Sequence, residues 1–250
     1  MTVLERLKAL RELMKERKID AYLVPTDDFH ASEYVGDYFK CRKYITGFTG
    51  SAGTAVIMQD MAGLWTDGRY FLQAADQLEG STIQLFKMGE PEVPTVHQFL
   101  ADKLEKGMCL GFDGRTVTAR EAGKLEELLR EKEITFSVND DLIGEIWNDR
   151  PALSCEPVME LDVKWAGESR ADKIAKIRKQ MKEKKVDIFV LTSLDDIAWF
   201  LNIRGNDVHC CPVVLSYLVM TDKELRLFVN ETVFSEEIRA NLEADGVEIY

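Results

Sequence analysis

Apolar residues recur at helical spacing over the first segment of the chain. Leu7, Leu10 and Met14 follow an i, i+3, i+7 pattern, which places them on one face of a helix packed against a core. An apolar run with β-branched and aromatic members follows at residues 21–25, and this pattern is typical of a buried strand. The chain is therefore predicted to begin with a helix and then a buried strand.

The same pattern returns 167 residues further along the chain. MKERKIDAYLV at residues 14–24 aligns with MKEKKVDIFVL at residues 181–191. Thr2 begins a capping box, a hydroxyl residue followed three positions later by an acid, and Ser169 begins the same box at the same offset. Agreement of cap, apolar stripe and strand at one offset predicts tandem copies of one α/β unit, so residues 188–192 should also form a buried strand.

Further strands and helices fill the first copy. Strands are predicted near residues 53–58, 62–65, 82–87 and 108–113, and helices after Gly68, Pro94 and Thr118. The first two of these strands are close enough to form a hairpin, which predicts a mixed rather than purely parallel sheet, flanked by helices. Residues 150–157 carry two prolines without an apolar period, as in a linker, and we place the first domain at residues 1–155.

The second copy, placed at residues 156–250, is shorter. It is predicted to contain a short helix at residues 195–202, strands at residues 213–221 and 225–230, and a helix at residues 232–244. Residues 247–250 are interpreted as a cut strand. Because roughly the last third of the first copy has no counterpart, the second domain is expected to be truncated, with an exposed sheet edge through which the chain self-associates.

Composition excludes several classes of protein. The chain is 46% hydrophobic and 30% charged, without an apolar run long enough for a membrane span, and its first residues mix charge into the apolar pattern, unlike a secretory signal. A formal net charge of -12 disfavours nucleic acid as a partner. The five scattered cysteines suit a reducing compartment. We therefore expect a cytoplasmic protein.

Metal ligation is not predicted from the residues present. His30, His97 and His209 lack the spacing of a zinc motif. Cys210 and Cys211 are adjacent, so their side chains cannot easily converge on one ion, and we interpret them as small, semi-buried residues beside a strand. We therefore expect no metal-binding residue in this chain.

Two carboxylate pairs follow the equivalent strands of the two copies. Asp27-Asp28 and Asp195-Asp196 could act as acid and base, but capping of the next helical segment is the favoured interpretation. No nucleophile, base and orienting group are visible as a set, so no catalytic residue is predicted in this chain.

Two glycine-containing motifs in the first copy remain open to two interpretations each. GFTGSAG at residues 47–53 resembles a phosphate-binding loop but lacks the lysine and hydroxyl of a P-loop, and a tight turn is favoured. Asp67-Gly68-Arg69 is a turn signal, yet its arginine could instead hold a carboxylate or a carbonyl oxygen of a ligand.

Four motifs carry a family resemblance. YITGFTGSAGTA at residues 44–55 and LWTDGRYFLQA at residues 64–74 resemble the first domain of the long Xaa-Pro aminopeptidases. IWNDRP at residues 146–151 resembles the junction of their first and second domains, and DDIAWFLNIRG at residues 195–205 resembles the second. The chain thus looks like the amino-terminal part of a metallopeptidase of the creatinase and prolidase family.

The resemblance implies two creatinase-type domains followed by a catalytic pita-bread domain, which is absent from these residues. That domain would hold two divalent ions, usually manganese, and hydrolyse the bond before proline at the second position of a peptide. The resemblance further implies that this part gates substrate access and supports a homodimer, and that the chain alone is inactive. Arg69 is the first candidate for substrate binding and Arg204 the second.

Two alternatives are kept beside this interpretation. One is a stand-alone creatinase-type module that binds peptides without cleaving them. The other is a close relative acting on creatine-like substrates or dipeptides, which the long first-domain motifs disfavour.

Overall fold

The chain folds into two units, and the computed structural model describes residues 1–250. Unit 1 contains Met1–Ala31 and Tyr38–Pro151, and unit 2 contains Ser32–Asp37 and Ala152–Tyr250. None of the helices has the length and apolar character that a membrane crossing requires.

Unit 1 contains six α-helices and six strands. The helices are α1 Val3–Arg17, α2 Cys41–Thr46, α3 Phe71–Gln77, α4 Val96–Lys103, α5 Ala119–Leu129 and α6 Leu142–Ile146. The strands are β1 Ala21–Pro25, β2 Thr54–Met58, β3 Ala62–Thr66, β4 Gln84–Lys87, β5 Cys109–Gly111 and β6 Thr135–Ser137. A 3₁₀ turn at Arg130–Lys132 follows α5.

The six strands form one sheet in the order β4-β3-β2-β1-β5-β6. β2 pairs antiparallel with both β1 and β3, whereas the pairs β3–β4, β1–β5 and β5–β6 are parallel. Side chains of β1 enter two cores in alternation: Tyr22 and Val24 join the core beneath α1, and Ala21 and Leu23 join the core that α4 and α5 cover. The predicted mixed sheet flanked by helices is confirmed.

Unit 2 contains four α-helices and six short strands. The helices are α7 Val163–Ala166, α8 Arg170–Lys184, α9 Leu194–Leu201 and α10 Glu236–Ala244, with a 3₁₀ turn at Glu231–Val233. The strands are β7 Met159–Glu160, β8 Phe189–Leu191, β9 Ile203–Arg204, β10 Ser216–Met220, β11 Leu225–Val229 and β12 Glu248–Ile249. They form a sheet of order β12-β11-β10-β8 and a separate β7–β9 pair. Counterparts of β5 and β6 are not part of this sheet.

The helix predicted at residues 232–244 is divided in the structure. A 3₁₀ turn, Glu231–Val233, comes first, and α10 begins only at Glu236 because the side chain of Ser235 accepts the amide hydrogen of Ile238 and caps a new helix there. The apolar period alone did not reveal this interruption.

The duplication extends to individual contacts. α1 and α8 begin and end at positions 167 apart, and the residues that end them, Lys18 and Lys185, adopt left-handed conformations with φ of 57° and 56°. Arg6 and Lys173 are also equivalent at this offset, and each places its cation 4.3 Å from the centre of an aromatic ring. Each donates a 2.6 Å hydrogen bond to the carbonyl of the same aromatic residue. The two units therefore share a cation–aromatic contact, between α1 and α2 in unit 1 and between α8 and α9 in unit 2.

One prediction from the repeat is wrong. Residues 188–192 were expected to form a buried strand, but β8 lies at the edge of its sheet, and Ile188 and Val190 are 61% and 54% exposed. An apolar run indicates a strand whose two faces are covered by other elements, but it does not show which part of the chain supplies those elements.

Candidate functional site

The glycine-rich loop at residues 47–53 is held from inside by Arg42. This side chain is 3% exposed, and its guanidinium donates to Thr26 Oγ1 at 2.9 Å, to the Phe48 carbonyl at 2.6 Å and to the Gly50 carbonyl. No carboxylate accompanies it, and burial lowers the pKa of Arg42 to about 10. The loop thus points carbonyl oxygens toward a buried cation.

The amide hydrogens at the start of the loop are also engaged. Phe48 N donates to Thr46 Oγ1 at 3.1 Å, and Thr49 N donates to Gln77 Oε1 of α3 at 2.8 Å. A phosphate-binding loop needs such amides free and aimed at the anion. Gly50 is needed for space, since a Cβ there would lie 2.9 Å from Tyr70 Cδ1. These contacts agree with the tight turn that the sequence favours.

Arg69 is clamped by the acid two residues before it. Its backbone amide and its Nε donate to Asp67 Oδ1 at 3.0 and 2.9 Å, and its Nη2 donates to Asp67 Oδ2 at 2.8 Å. The side chain remains 65% exposed, and its guanidinium lies 5.2 Å from the Tyr70 ring. These hydrogen bonds hold the pKa of the Asp67 carboxyl below its ordinary value. The arginine is thereby oriented without being covered.

The same three-residue string occurs again in unit 1, a match that the sequence analysis missed. Asp113-Gly114-Arg115 follows β5, and Arg115 makes the same contacts with Asp113, at 3.0, 2.9 and 2.9 Å. Arg115 additionally reaches Asp141 at 3.1 Å. Because one string adopts one conformation twice, the clamp is a local property of Asp-Gly-Arg after a strand, and it does not by itself mark a binding site.

Arg204, the second candidate, serves the end of a helix in unit 2. Its Nη1 donates to the carbonyls of Ala198 and Ile203, both at 2.7 Å. Ala198 belongs to α9, and its carbonyl also accepts the backbone amide of Asn202, the residue that caps the end of this helix. Arg204 is half-buried, and these contacts orient it locally. Arg69 and Arg204 lie in different units, and each has its own backbone or carboxylate partners.

A small cleft lies where parallel strands β1 and β5 end. Its lining includes Asp27, Asp113, Asp141 and Cys41. Ligands of open α/β sheets bind at the carboxyl ends of the strands, so this cleft is considered as a possible ligand site beside the glycine-rich loop. Asp141 receives a 2.6 Å ion pair from Arg150 as well as the contact from Arg115, so arginines neutralise the carboxylates after β5 and β6.

Two groups in the cleft have raised pKa values because they are buried. Desolvation raises the pKa of Asp27 to about 6, and the nearby Asp28 carboxylate adds to the effect. Desolvation also raises the pKa of the Cys41 thiol to about 12, against the opposing influence of Arg150. The thiol is therefore protonated at neutral pH and unsuited to nucleophilic attack.

The acidic pairs serve the backbone in two different ways. Asp195 and Asp196 lie in the first turn of α9, as the capping interpretation requires, although Ser193 supplies the capping oxygen. Asp27 and Asp28 cap no helix: Asp27 Oδ1 accepts from Asp28 N at 2.9 Å, and Asp28 Oδ1 accepts from His30 N at 2.8 Å. The prediction of a helix cap at this second place is wrong, because a loop follows β1 instead.

No group of three or more histidine, cysteine, aspartate or glutamate side chains is arranged to hold an ion. His97 instead pairs with Glu121 at 2.8 Å. Cys210 is exposed at a turn with a φ of 62°, and Cys211 is half-buried.

Comparison with known protein families gives two matches. The creatinase/prolidase N-terminal domain matches residues 6–143, and a second family with the same description matches residues 149–250. Together these two regions include the glycine-rich loop, both Asp-Gly-Arg strings and Arg204.

Individual relatives match almost the whole chain. A protein of Laccaria bicolor named probable Xaa-Pro aminopeptidase P is 43% identical over 96% of the chain, and Aminopeptidase P2 of Arabidopsis thaliana is 40% identical over 98%. The chain spans 37% and 35% of those two relatives.

A solved structure matches at the level of the fold. It is the X-prolyl aminopeptidase of Caenorhabditis elegans, described as a cytosolic enzyme with a di-nuclear active site. The match has a TM-score of 0.94 and 38% identity and covers 100% of this chain and 42% of the other.

Proposed function

The chain belongs to the creatinase/prolidase N-terminal domain family, and we propose that it is the amino-terminal, non-catalytic region of an Xaa-Pro aminopeptidase. The observation that carries this proposal is the match to the nematode enzyme, which extends over the full chain with a TM-score of 0.94. The substrates of the longer enzyme would be peptides with proline at the second position, and the reaction would be hydrolytic release of the residue before that proline.

Catalysis itself is assigned to a domain outside these residues. The residues present do not fit a di-nuclear centre, because no group of acids and histidines converges on one point. The two divalent ions of the proposed enzyme, with manganese as the favoured metal, would be held by its pita-bread domain. No step of hydrolysis is therefore placed on the residues of this chain, and the chain is expected to be inactive alone.

The proposed contribution of unit 1 is to bind and admit the substrate. Arg69 is exposed and pre-oriented by Asp67, so its guanidinium could bind a peptide carbonyl or carboxylate at little entropic cost. Arg204 of unit 2 is the second proposed contact, although its Nη1 already donates to two carbonyls. Homodimer formation and a cytoplasmic location complete the proposal.

The first test measures release of arginine from an Arg-Pro-Pro peptide with added manganese. Activity in the longer gene product and none in the 250-residue chain is the expected result. Activity in the 250-residue chain would refute the assignment of catalysis to another domain. Binding of the peptide without turnover by either protein would instead favour a peptide-binding module.

Arg69 can be tested against a matched control from the same chain. In the active longer protein, Arg69→Ala should raise KM at least about tenfold, because a charge-assisted contact contributes about 1.5–3 kcal/mol. Arg115→Ala removes an arginine from the same clamped string at another place and should leave KM unchanged. Equal effects of the two variants would mean that Arg69 has a purely structural role.

A further inference from the structure

A tight turn in unit 2 carries two adjacent thiols. Cys211 N donates to the Val208 carbonyl at 3.0 Å, which closes a β-turn over residues 208–211, and the same two residues form an antiparallel bridge. Cys210 is the third residue of this turn and has a φ of 62°, a conformation that glycine or asparagine usually supplies. A cysteine therefore occupies a position where the backbone favours a different residue.

The turn stands on a base that is fixed by hydrogen bonds. Asp207 N donates to the Val213 carbonyl at 3.3 Å across the base. The Asp207 side chain is buried, and its carboxylate accepts from Ser154 Oγ at 2.6 Å and from Leu215 N at 2.7 Å. These contacts position the two cysteines before any ligand arrives, which reduces the conformational entropy that binding would cost.

The two thiols differ in exposure. Cys210 is exposed, whereas Cys211 is half-buried and packs beside Leu194 and Val213. Burial raises the pKa of Cys211, and the Asp195 carboxylate and the neighbouring Cys210 thiol add to the rise. Cys210 is therefore the thiol that reacts first with a reagent from solution, and Cys211 is its neighbour for a second bond.

The valence of the ligand follows from the number and spacing of the thiols. A structural zinc site needs four ligands, and no third histidine, cysteine or carboxylate is grouped with this pair. A disulfide within the pair would be strained, because adjacent Cα atoms lie about 3.8 Å apart and ordinary disulfides join Cα atoms about 4.4–6.8 Å apart. An atom inserted between the two sulfurs relaxes that constraint. Trivalent arsenic that carries one organic group has two bonds left, one for each sulfur.

The backbone of the turn differs from that of a strand. In a strand, successive side chains point to opposite faces, so adjacent cysteines diverge. The positive φ of Cys210 lies in the left-handed region instead, and the influence of the Cys210 thiol on the pKa of Cys211 reflects the proximity of the two groups. The sequence argument against one shared ion therefore holds for an ion with several ligands and not for an atom that bonds to two sulfurs.

We propose that Cys210 and Cys211 form a covalent binding site for trivalent arsenicals with one organic substituent. In water such an arsenical carries two hydroxyl groups, and it exchanges both of them for the cysteine sulfurs. Each thiol proton leaves with one hydroxyl group as water, so two As–S bonds form, two As–O bonds break and no atom is oxidised or reduced. The second bond forms within one molecule, where a high effective concentration offsets the weaker acidity of Cys211. The site does not depend on the proposed function.

Phenylarsine oxide is the probe for this site. After gel filtration in excess glutathione, a monothiol, the 250-residue chain should retain arsenic in an equimolar ratio, and dithiothreitol, a dithiol, should release it. The variants Cys210→Ser and Cys211→Ser keep one thiol each and should bind at least about 100-fold more weakly, which is the lower end of the gain from joining two binding groups.

Two further variants separate loss of the site from loss of the fold. Cys210→Gly removes a thiol but suits the positive φ, so it should lose arsenic while it unfolds at the same or a higher urea concentration than the unsubstituted chain. Cys155→Ser removes the other exposed thiol, which lies between two residues that contact Asp207, and should leave arsenic binding unchanged.

Three outcomes would overturn the proposal. The first is an unsubstituted chain that loses its arsenic to glutathione. The second is undiminished binding by Cys210→Gly. The third is weaker binding by Cys155→Ser, which would make Cys155 one of the two arsenic ligands in place of the adjacent pair.

Discussion

Replacing Arg42 with methionine should destabilise unit 1 by about 3 kcal/mol. Its guanidinium makes three hydrogen bonds, each worth about 1.5–3 kcal/mol for a charged donor, and two of the acceptors are carbonyls that methionine cannot satisfy. Part of this loss is offset, because methionine does not have to be desolvated as a cation. Burial depresses the pKa of Arg42 to about 10, which corresponds to a cost of about 3 kcal/mol. The difference leaves a net loss of a few kcal/mol.

Urea unfolding followed by circular dichroism and by tryptophan fluorescence would measure this loss. Arg69→Met is a suitable control, because Arg69 lies in the same unit, is 65% exposed and makes its ion pair with Asp67 at the surface, so its loss should be below about 1 kcal/mol. Arg42→Lys should recover little stability, because a single ammonium group cannot reproduce the planar guanidinium that donates to three acceptors at once. A loss below about 1 kcal/mol for Arg42→Met, or full recovery with lysine, would refute the role assigned to Arg42.

Three further predictions concern charge and reactivity. In urea unfolding, Asp27→Asn should stabilise the protein by about 1 kcal/mol above pH 6 and have no effect below pH 4. The pKa of Asp27 is raised to about 6 in the folded state, so the stability that its protonated form contributes is lost as pH rises through 6. Partial exposure of the carboxyl to solvent limits the size of the effect. Arg170→Met should cost unit 2 about 3 kcal/mol in thermal unfolding, because this 4% exposed cation pairs with two carboxylates, whereas the exposed Arg226→Met should cost below about 1 kcal/mol. In the native protein Cys41, whose thiol pKa is raised to about 12, should react with a disulfide reagent at pH 7 far more slowly than the exposed Cys155; equal rates would contradict the burial argument.

The parts of the fold that the sequence predicted have strong local signals. The limits of α1 and α8 follow from Thr2 and Ser169, whose hydroxyls start the helices, and from the charged turns that end them. The hairpin of β2 and β3 followed from two apolar runs separated by a short turn. By contrast, α2 and β6 were not predicted, because six- and three-residue elements carry too few positions to show a period.

The candidate site was less predictable than the fold. The two interpretations of Arg69 could not be separated from sequence, since a turn and a ligand contact use the same three residues. The repeated string at residues 113–115 was an available signal, and it would have favoured the local clamp. Arg42 left no signal of this kind, because its acceptors are mainly backbone carbonyls, which every residue has.

Burial at sheet edges was the main failure of pattern reasoning. Residues 21–25 and 188–192 have the same apolar character, yet the first run is covered and the second is not. The partners of β1 on its far side lie more than eighty residues away in sequence, since Asp20 contacts Cys109 across a separation of 89. A local pattern contains no information about contacts at that distance.

The exposed strand β8 of unit 2 also bears on how unit 1 is made during synthesis. At one stage β1 to β4 of unit 1 have left the ribosome and β5 has not, so only the strands equivalent to the four of the unit 2 sheet are available. Because chains elongate at about 5–20 residues per second, Ala21 and Leu23 remain uncovered for several seconds after β4 emerges. Apolar side chains that are buried in the complete unit 1 can therefore be exposed on the nascent chain, where a chaperone or a neighbouring chain could bind them.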